Sequence, residues 1–197
     1  LENPRAFLSK VFHECSETMM NQYDGKNLVA NAYRVKELGD GFLCTVGFPF
    51  ASPTPDIADH TMSLAFQFMK VFTEQVQQVK TTFPIHCCIG IAYGPVEAFF
   101  PESGAKVYDL FGKGIILAHR YESMRDLILP IIKQKASLII LQEQVYKSLS
   151  EEYRQRFVAF NLAQAGLSVR DDDLATQLYY SLQNDESEAL PVAGKAS

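Results

Sequence analysis

Residues 33–47, YRVKELGDGFLCTVG, constrain this chain more than any other stretch. Tyr33, Val35 and Glu37 alternate with Arg34, Lys36 and Leu38, and residues 42–46 are apolar and β-prone. Between the two runs lies Gly39-Asp40-Gly41. An Asp-Gly step so placed predicts a β-hairpin, because a two-residue turn there needs positive φ. A surface hairpin whose aspartate merely serves the turn accounts for the pattern. A functional tip does so too, since an Asp there, with Lys36 four residues earlier, can serve a phosphate-bearing ligand. The remainder of the chain decides between them.

At 197 residues the chain has the length of one ordinary domain with a full core. It carries 18 basic against 23 acidic side chains, a net charge of −5. That balance argues against a nucleic-acid-coating protein or one that lies on an anionic membrane, while leaving room for a local basic pocket. No apolar run approaches the roughly 20 residues that span a bilayer, and residues 1–10 carry no signal-peptide pattern. Without an initiator Met, the chain is expected to be a fragment of something longer. Cys15, Cys44, Cys87 and Cys88 form no Cys-x-x-Cys pair, and His13, His60, His86 and His119 show no metal-ligand spacing. Buried, reduced thiols of a cytoplasmic protein are expected.

In chain order, Asn3 can cap and Pro4 can open a helix over 4–23, with Phe7, Leu8, Val11, Phe12, Cys15 and Met19 on one face. The hairpin comes next, then a proline-rich loop over 48–55. From Asp56 an amphipathic helix runs to about Lys80 on a stripe of Ile57, Met62, Leu64, Ala65, Phe68, Met69, Phe72 and Val76. Residues 83–93, FPIHCCIGIAY, read as a buried central strand. Strands are expected at 96–100 and 107–111 around a turn at 101–104, and a helix at 115–124. Another buried strand is expected at 136–141 and a short helix at 143–149. A closing strand pair at 157–162 and 177–182 flanks the acidic Asp171-Asp172-Asp173 loop. Residues 185–197 read as a disordered tail, with one domain over 1–184. The order of elements predicts an α+β fold: a ferredoxin-like core whose mixed, mainly antiparallel sheet is flanked by helices. That outline hosts many functions and assigns none.

Three blocks carry a resemblance. VKELGDGF at 35–42 resembles the hairpin motif of class III nucleotide cyclases. IGIAYGPVEA at 89–98 is similar to that family's central strand pair, and YDLFGKGIILAHRYESM at 108–124 to its Tyr-Asp-x-Trp-Gly stretch and following helix. The blocks occur in the family's order at compatible spacing and extend over residues 35–124. Any one of them is weak; the ordered set is specific.

The resemblance implies a nucleotide cyclase fold and assigns roles. Lys36 matches the purine-reading lysine and Asp109 its partner, which accepts from the exocyclic amine. That pair is the adenine type, whereas guanine readers usually show Glu and a smaller residue. Asp40 matches one of two metal-binding aspartates, so Mg²⁺ or Mn²⁺ is implied. Arg120 matches the arginine that stabilises the transition state, and Arg170 lies near a triphosphate-contacting lysine. In the family the site forms between two subunits. This chain carries parts of both sides, so a symmetric homodimer is implied, with ATP as substrate and no nucleic acid or membrane contact.

Departures from the family pattern are equally specific. In the family the other metal aspartate sits on a strand before the first long helix; this sequence begins after that point, so that carboxylate is absent from the chain as given, the strand being either trimmed or lost. The family's Asn four residues before the arginine is Ile116 here, Phe111 replaces a common Trp, and Phe99 stands where Gly is frequent. Taken singly, Ile116 and Phe99 read as core residues, Lys36 and Arg120 as solvated charges, and Asp109 as a turn residue. The expected function is adenylate cyclase. A degenerate homology domain with a regulatory or dimerising role, or a cyclase for another nucleotide, stands as the alternative.

Overall fold

The first helix starts on a side-chain cap. In the computed structural model, which describes residues 3–99 and 109–183, the Asn3 carboxamide oxygen accepts from the Ala6 N–H at 3.0 Å and Pro4 opens α1 (Pro4–Met20). The cap satisfies a donor the helix cannot, and proline has none to lose. Next comes the hairpin of β1 (Tyr33–Leu38) and β2 (Gly41–Thr45). Leu38 pairs with Gly41, so the central turn residues are Gly39 and Asp40, and only Gly39 has positive φ, at +68°. Glycine thus takes the first central position and Asp40 the second, one of the turn forms that match strand twist. A register shift between Arg34 and Lys36 bulges β1, and such a bulge bends the strand and re-aims the side chains beyond it.

The chain continues through α2 (Ile57–Gln77), β3 (Cys88–Ile91), β4 (Glu97–Phe99), β5 (Asp109–Phe111), α3 (Lys113–Ser123) and α4 (Arg125–Ile132). It closes with β6 (Ser137–Gln142), α5 (Glu143–Ser148), α6 (Glu151–Arg154), β7 (Val158–Asn161), α7 (Leu162–Ala165) and β8 (Gln177–Gln183). The main sheet has the order β3-β6-β8-β7. The β3/β6 pair is parallel and the other two are antiparallel. Strands β4 and β5 form a separate antiparallel hairpin. The result is the expected α+β fold, with a mixed, mainly antiparallel sheet and helices on both faces.

Every residue of β6 is buried, because its alternation feeds two cores. Leu138 and Ile140 pack with Leu117, Tyr121 and Ile128 from α3 and α4. Ile139 and Leu141 pack with Met62, Ala65 and Met69 of α2. The same α2 turns Leu64, Phe68 and Phe72 toward Phe7, Val11 and Met19 of α1, so it is wedged between the sheet and the first helix. Buried Gln75 on α2 donates to both Glu14 carboxylate oxygens, at 2.9 and 3.0 Å. Burial pushes the Cys15, Cys44 and Cys87 thiols up to about 12, which leaves them protonated and inert near neutral pH.

One expectation needs correction, and two local features go beyond the sequence reading. Residues 83–93 do not form a buried central strand: only Cys88–Ile91 is a strand, it is half-buried, and among the described residues it pairs with β6 alone. Pro84 has no N–H to give a ladder and Phe83 is 78% exposed. The central place belongs to β6. Residues 125–132 form α4 despite the internal Pro130, with Ile128 fully buried and Lys133 closing the helix in the left-handed region at φ +56°. Asp56 stands at the N-cap of α2 without a side-chain capping bond. The turn expected at 101–104 and the tail over 185–197 lie outside the described residues.

Helix α3 crosses β3 at Gly90, where any Cβ would collide with the Glu122 backbone nitrogen and the Ala118 carbonyl oxygen. Glycine there lets backbone meet backbone and fixes how close α3, with Arg120, lies to the sheet. Among the described residues no helix is long and apolar enough to cross a membrane.

Candidate active site

The bulged β1 and the first residue of β5 bring two charges together. The Lys36 ammonium lies 3.2 Å from each carboxylate oxygen of Asp109. Asp109 Oδ1 also accepts from the Leu110 N–H at 2.8 Å. The Lys36 hydrogen bond first, and the Leu110 N–H second, hold the Asp109 carboxyl below the usual carboxylate range. The two side chains are 40% and 38% exposed, so the pair is open to a ligand, and water screens it too strongly for it to count for much in stability.

Lys36 and Asp109 line one end of a cleft of about 940 Å³. Its other charged groups are Lys113, Asp171 and Asp173, and its apolar wall includes Phe99, Phe111, Ile115 and Ile116. Phe99 and Phe111 meet edge to face with ring centroids 5.0 Å apart. Ile116 is 47% exposed, so it is a cleft-wall residue rather than the core residue it resembles in isolation. Phe99 is likewise a wall residue.

Arg120 leaves α3 one position before the fully buried Tyr121. Its Nε donates to Asp171 Oδ2 at 2.8 Å, and its side chain is only 26% exposed. Arg120 does not itself line the cleft; Asp171, to which it is tied, does. The Tyr121 hydroxyl donates to Asp172 Oδ2 at 2.8 Å, and burial, with Asp172 beside it, raises that hydroxyl's pKa. Gln142, at the end of β6, donates to the same oxygen at 2.9 Å and accepts from the Tyr93 N–H at 2.9 Å. Asp171 and Asp172 were legible only as members of an acidic loop; two consecutive aspartates opposite an Arg-Tyr pair on a helix are the signal that marks them.

The other two expected site residues stand apart from the cleft lining. Arg170 is 77% exposed, with Nε 3.8 Å from Asp171. Asp40 is exposed at the hairpin tip. A hard divalent cation takes about six oxygen ligands or more, part of them from water. Among the described residues no group of three His, Cys, Asp or Glu side chains could hold one. Asp40 alone does not make a metal site.

Residues 5–161 match the adenylate and guanylate cyclase catalytic domain model. The chain is 28% identical over 113 residues to the receptor-type guanylate cyclase gcy-8 of Caenorhabditis elegans, covering 57% of this chain and 10% of that protein. Among solved structures it is similar to the adenylyl cyclase CyaB from P. aeruginosa, with TM-score 0.61 and 19% identity over 96% of this chain and 87% of that one. It is also similar to the guanylate cyclase domain of RhGC from Catenaria anguillulae in complex with GTP, with TM-score 0.58 and 22% identity over 92% and 86%. These structural likenesses speak for the fold, and the family match spans most of the sequence. The chain belongs to the adenylate and guanylate cyclase catalytic domain family.

Proposed function

We propose that the chain is an adenylate cyclase catalytic domain, converting ATP to 3′,5′-cyclic AMP and pyrophosphate. The observation that carries the choice of base is the Lys36–Asp109 pair at the cleft. A lysine donor suits a ring nitrogen of adenine, and a carboxylate suits its exocyclic amine. A site built on such bonds rejects a base that leaves its polar groups unpaired.

In the reaction the ribose 3′-hydroxyl gives its proton to water and its oxygen bonds to the α-phosphorus, while the bond to the bridging oxygen breaks and pyrophosphate leaves. Negative charge builds on the phosphate oxygens. Arg120 supplies planar, charge-assisted hydrogen bonds to that charge. Arg170, exposed on the β7–β8 connection, meets the terminal phosphates. Mg²⁺ or Mn²⁺ belongs to this reading as an implication of the resemblance only. Asp40 lies outside the cleft that holds Lys36 and Asp109, which suits a symmetric homodimer whose two sites are each shared between subunits. A cytoplasmic location, where ATP is available, goes with this reading.

Ile116 favours a second reading. An aliphatic wall where the family carries a hydrogen-bonding Asn suits a domain that binds nucleotide or dimerises for regulation and turns over slowly.

The test is product identification with ATP or GTP, in Mg²⁺ and in Mn²⁺, for the purified protein and its Arg120→Ala variant. Cyclic AMP from ATP, reduced about 10²–10³-fold in the variant, is expected. Faster formation of cyclic GMP, or an Arg120→Ala variant as active as the parent, contradicts the reading.

A further inference from the structure

We infer that Asp171 is a positioning residue for Arg120; this rests on the cyclase reading, in which Arg120 meets the reacting phosphate. The contact is made through Nε, at 2.8 Å to Asp171 Oδ2. A carboxylate bound at Nε fixes the plane of the guanidinium and leaves both terminal amino groups for another acceptor. Arginine has several rotatable bonds, and a guanidinium that wanders by about 1 Å can lose about 10² in rate. A bond that stops this wandering acts on turnover more than on binding.

Asp171 can serve this way only if its own loop is held, and it is. The adjacent pair, Tyr121 with Asp172, crosses the same gap at 2.8 Å. Consecutive residues of α3 thus bind consecutive residues of the β7–β8 connection. Tyr121 has no exposed surface, and Gln142 binds the same Asp172 oxygen from the end of β6. Asp171 itself sits at φ +68°, a conformation that non-glycine residues hold only where their surroundings determine it. The loop is therefore anchored to the sheet by Asp172 while Asp171 orients the arginine. Arg170, 3.8 Å from Asp171 and largely exposed, does not replace Arg120 in this contact.

The test compares Asp171→Ala, Asp171→Asn, Arg120→Ala and the Asp171→Ala/Arg120→Ala double variant in the intact chain, by kcat, KM and melting temperature. Asp171→Ala is expected to lower kcat about tenfold or more while KM stays within about twofold. The double variant is expected to match Arg120→Ala, because residues that act as a unit are not additive. Independently of activity, the Arg120 Nε–H proton is followed by NMR. It is expected to exchange slowly with solvent in the parent protein and rapidly in Asp171→Ala.

If Arg120→Ala costs activity and Asp171→Ala costs none, or raises it, the positioning role is overturned and the cyclase reading stands. If the parent makes no cyclic nucleotide, or Arg120→Ala changes nothing, both fall. Identical Nε–H exchange in the parent and Asp171→Ala overturns the contact whatever the activity.

Discussion

Lys36 and Asp109 are 73 positions apart in the chain and meet side chain to side chain at 3.2 Å. One sits just past a bulge in β1 and the other opens β5, so the pair joins two strand pairs that share no ladder among the described residues. Its open face is a cleft, and a base with complementary groups can take over the bonds the two residues make to each other.

The carboxyl of Asp109 is held below its ordinary range, which sets a pH dependence. A group with a lowered folded value contributes above its ordinary pKa and is lost as pH falls through the lowered one. The preference for ATP over GTP in competition binding is therefore expected to stay flat from about pH 8 to about pH 5, and to fail only below about pH 4. A preference that decays between pH 7 and pH 5 would show that another group reads the base.

Ile116 gives a second prediction. Because it is 47% exposed on the cleft wall, Ile116→Asn buries no unsatisfied amide and should change stability by no more than about 0.5 kcal/mol. Turnover should rise, by up to about 10²-fold if the amide restores alignment of the attacking oxygen, with less change in nucleotide affinity. Melting temperature and kcat measured side by side decide the matter: unchanged stability with unchanged turnover favours the regulatory reading.

Tyr121→Phe removes the hydroxyl that donates to Asp172 in a buried setting. Asp172 keeps Gln142 as a partner, so the expected cost is about 1–2 kcal/mol, read as a lower urea midpoint with an unchanged slope. A variant as stable as the parent would show that the hydroxyl finds water equally well and that this link does not hold the loop.

Local signals were the legible ones. The hairpin at Gly39-Asp40, the Asn3 cap and the two-sided apolar run of β6 are set by neighbours in sequence, and each is found. The apolar run at 83–93 overstates β3, because it does not reveal that Pro84 and Phe83 stay outside the ladder. Helix α4 was hidden because Pro130 masks its period. Lys36, Asp109 and Arg120 are singled out by ordered motifs alone, because nothing in their spacing announces that Lys36 meets Asp109 or that Arg120 meets Asp171. Asp171 and Asp172 escaped because a run of three aspartates looks the same whether it is solvated or bonded; only the tertiary placement of α3 against the β7–β8 loop separates the two.

The most direct test of adenine reading is the Lys36→Glu/Asp109→Cys double variant, assayed for cyclic AMP and cyclic GMP formation with ATP and GTP supplied separately. An ATP preference in the parent that falls by about tenfold or more in the variant, with the protein still folded, is the predicted result. A parent that prefers GTP, or a double variant that keeps its full preference for ATP, contradicts the assignment of Lys36 and Asp109 as the residues that choose the base.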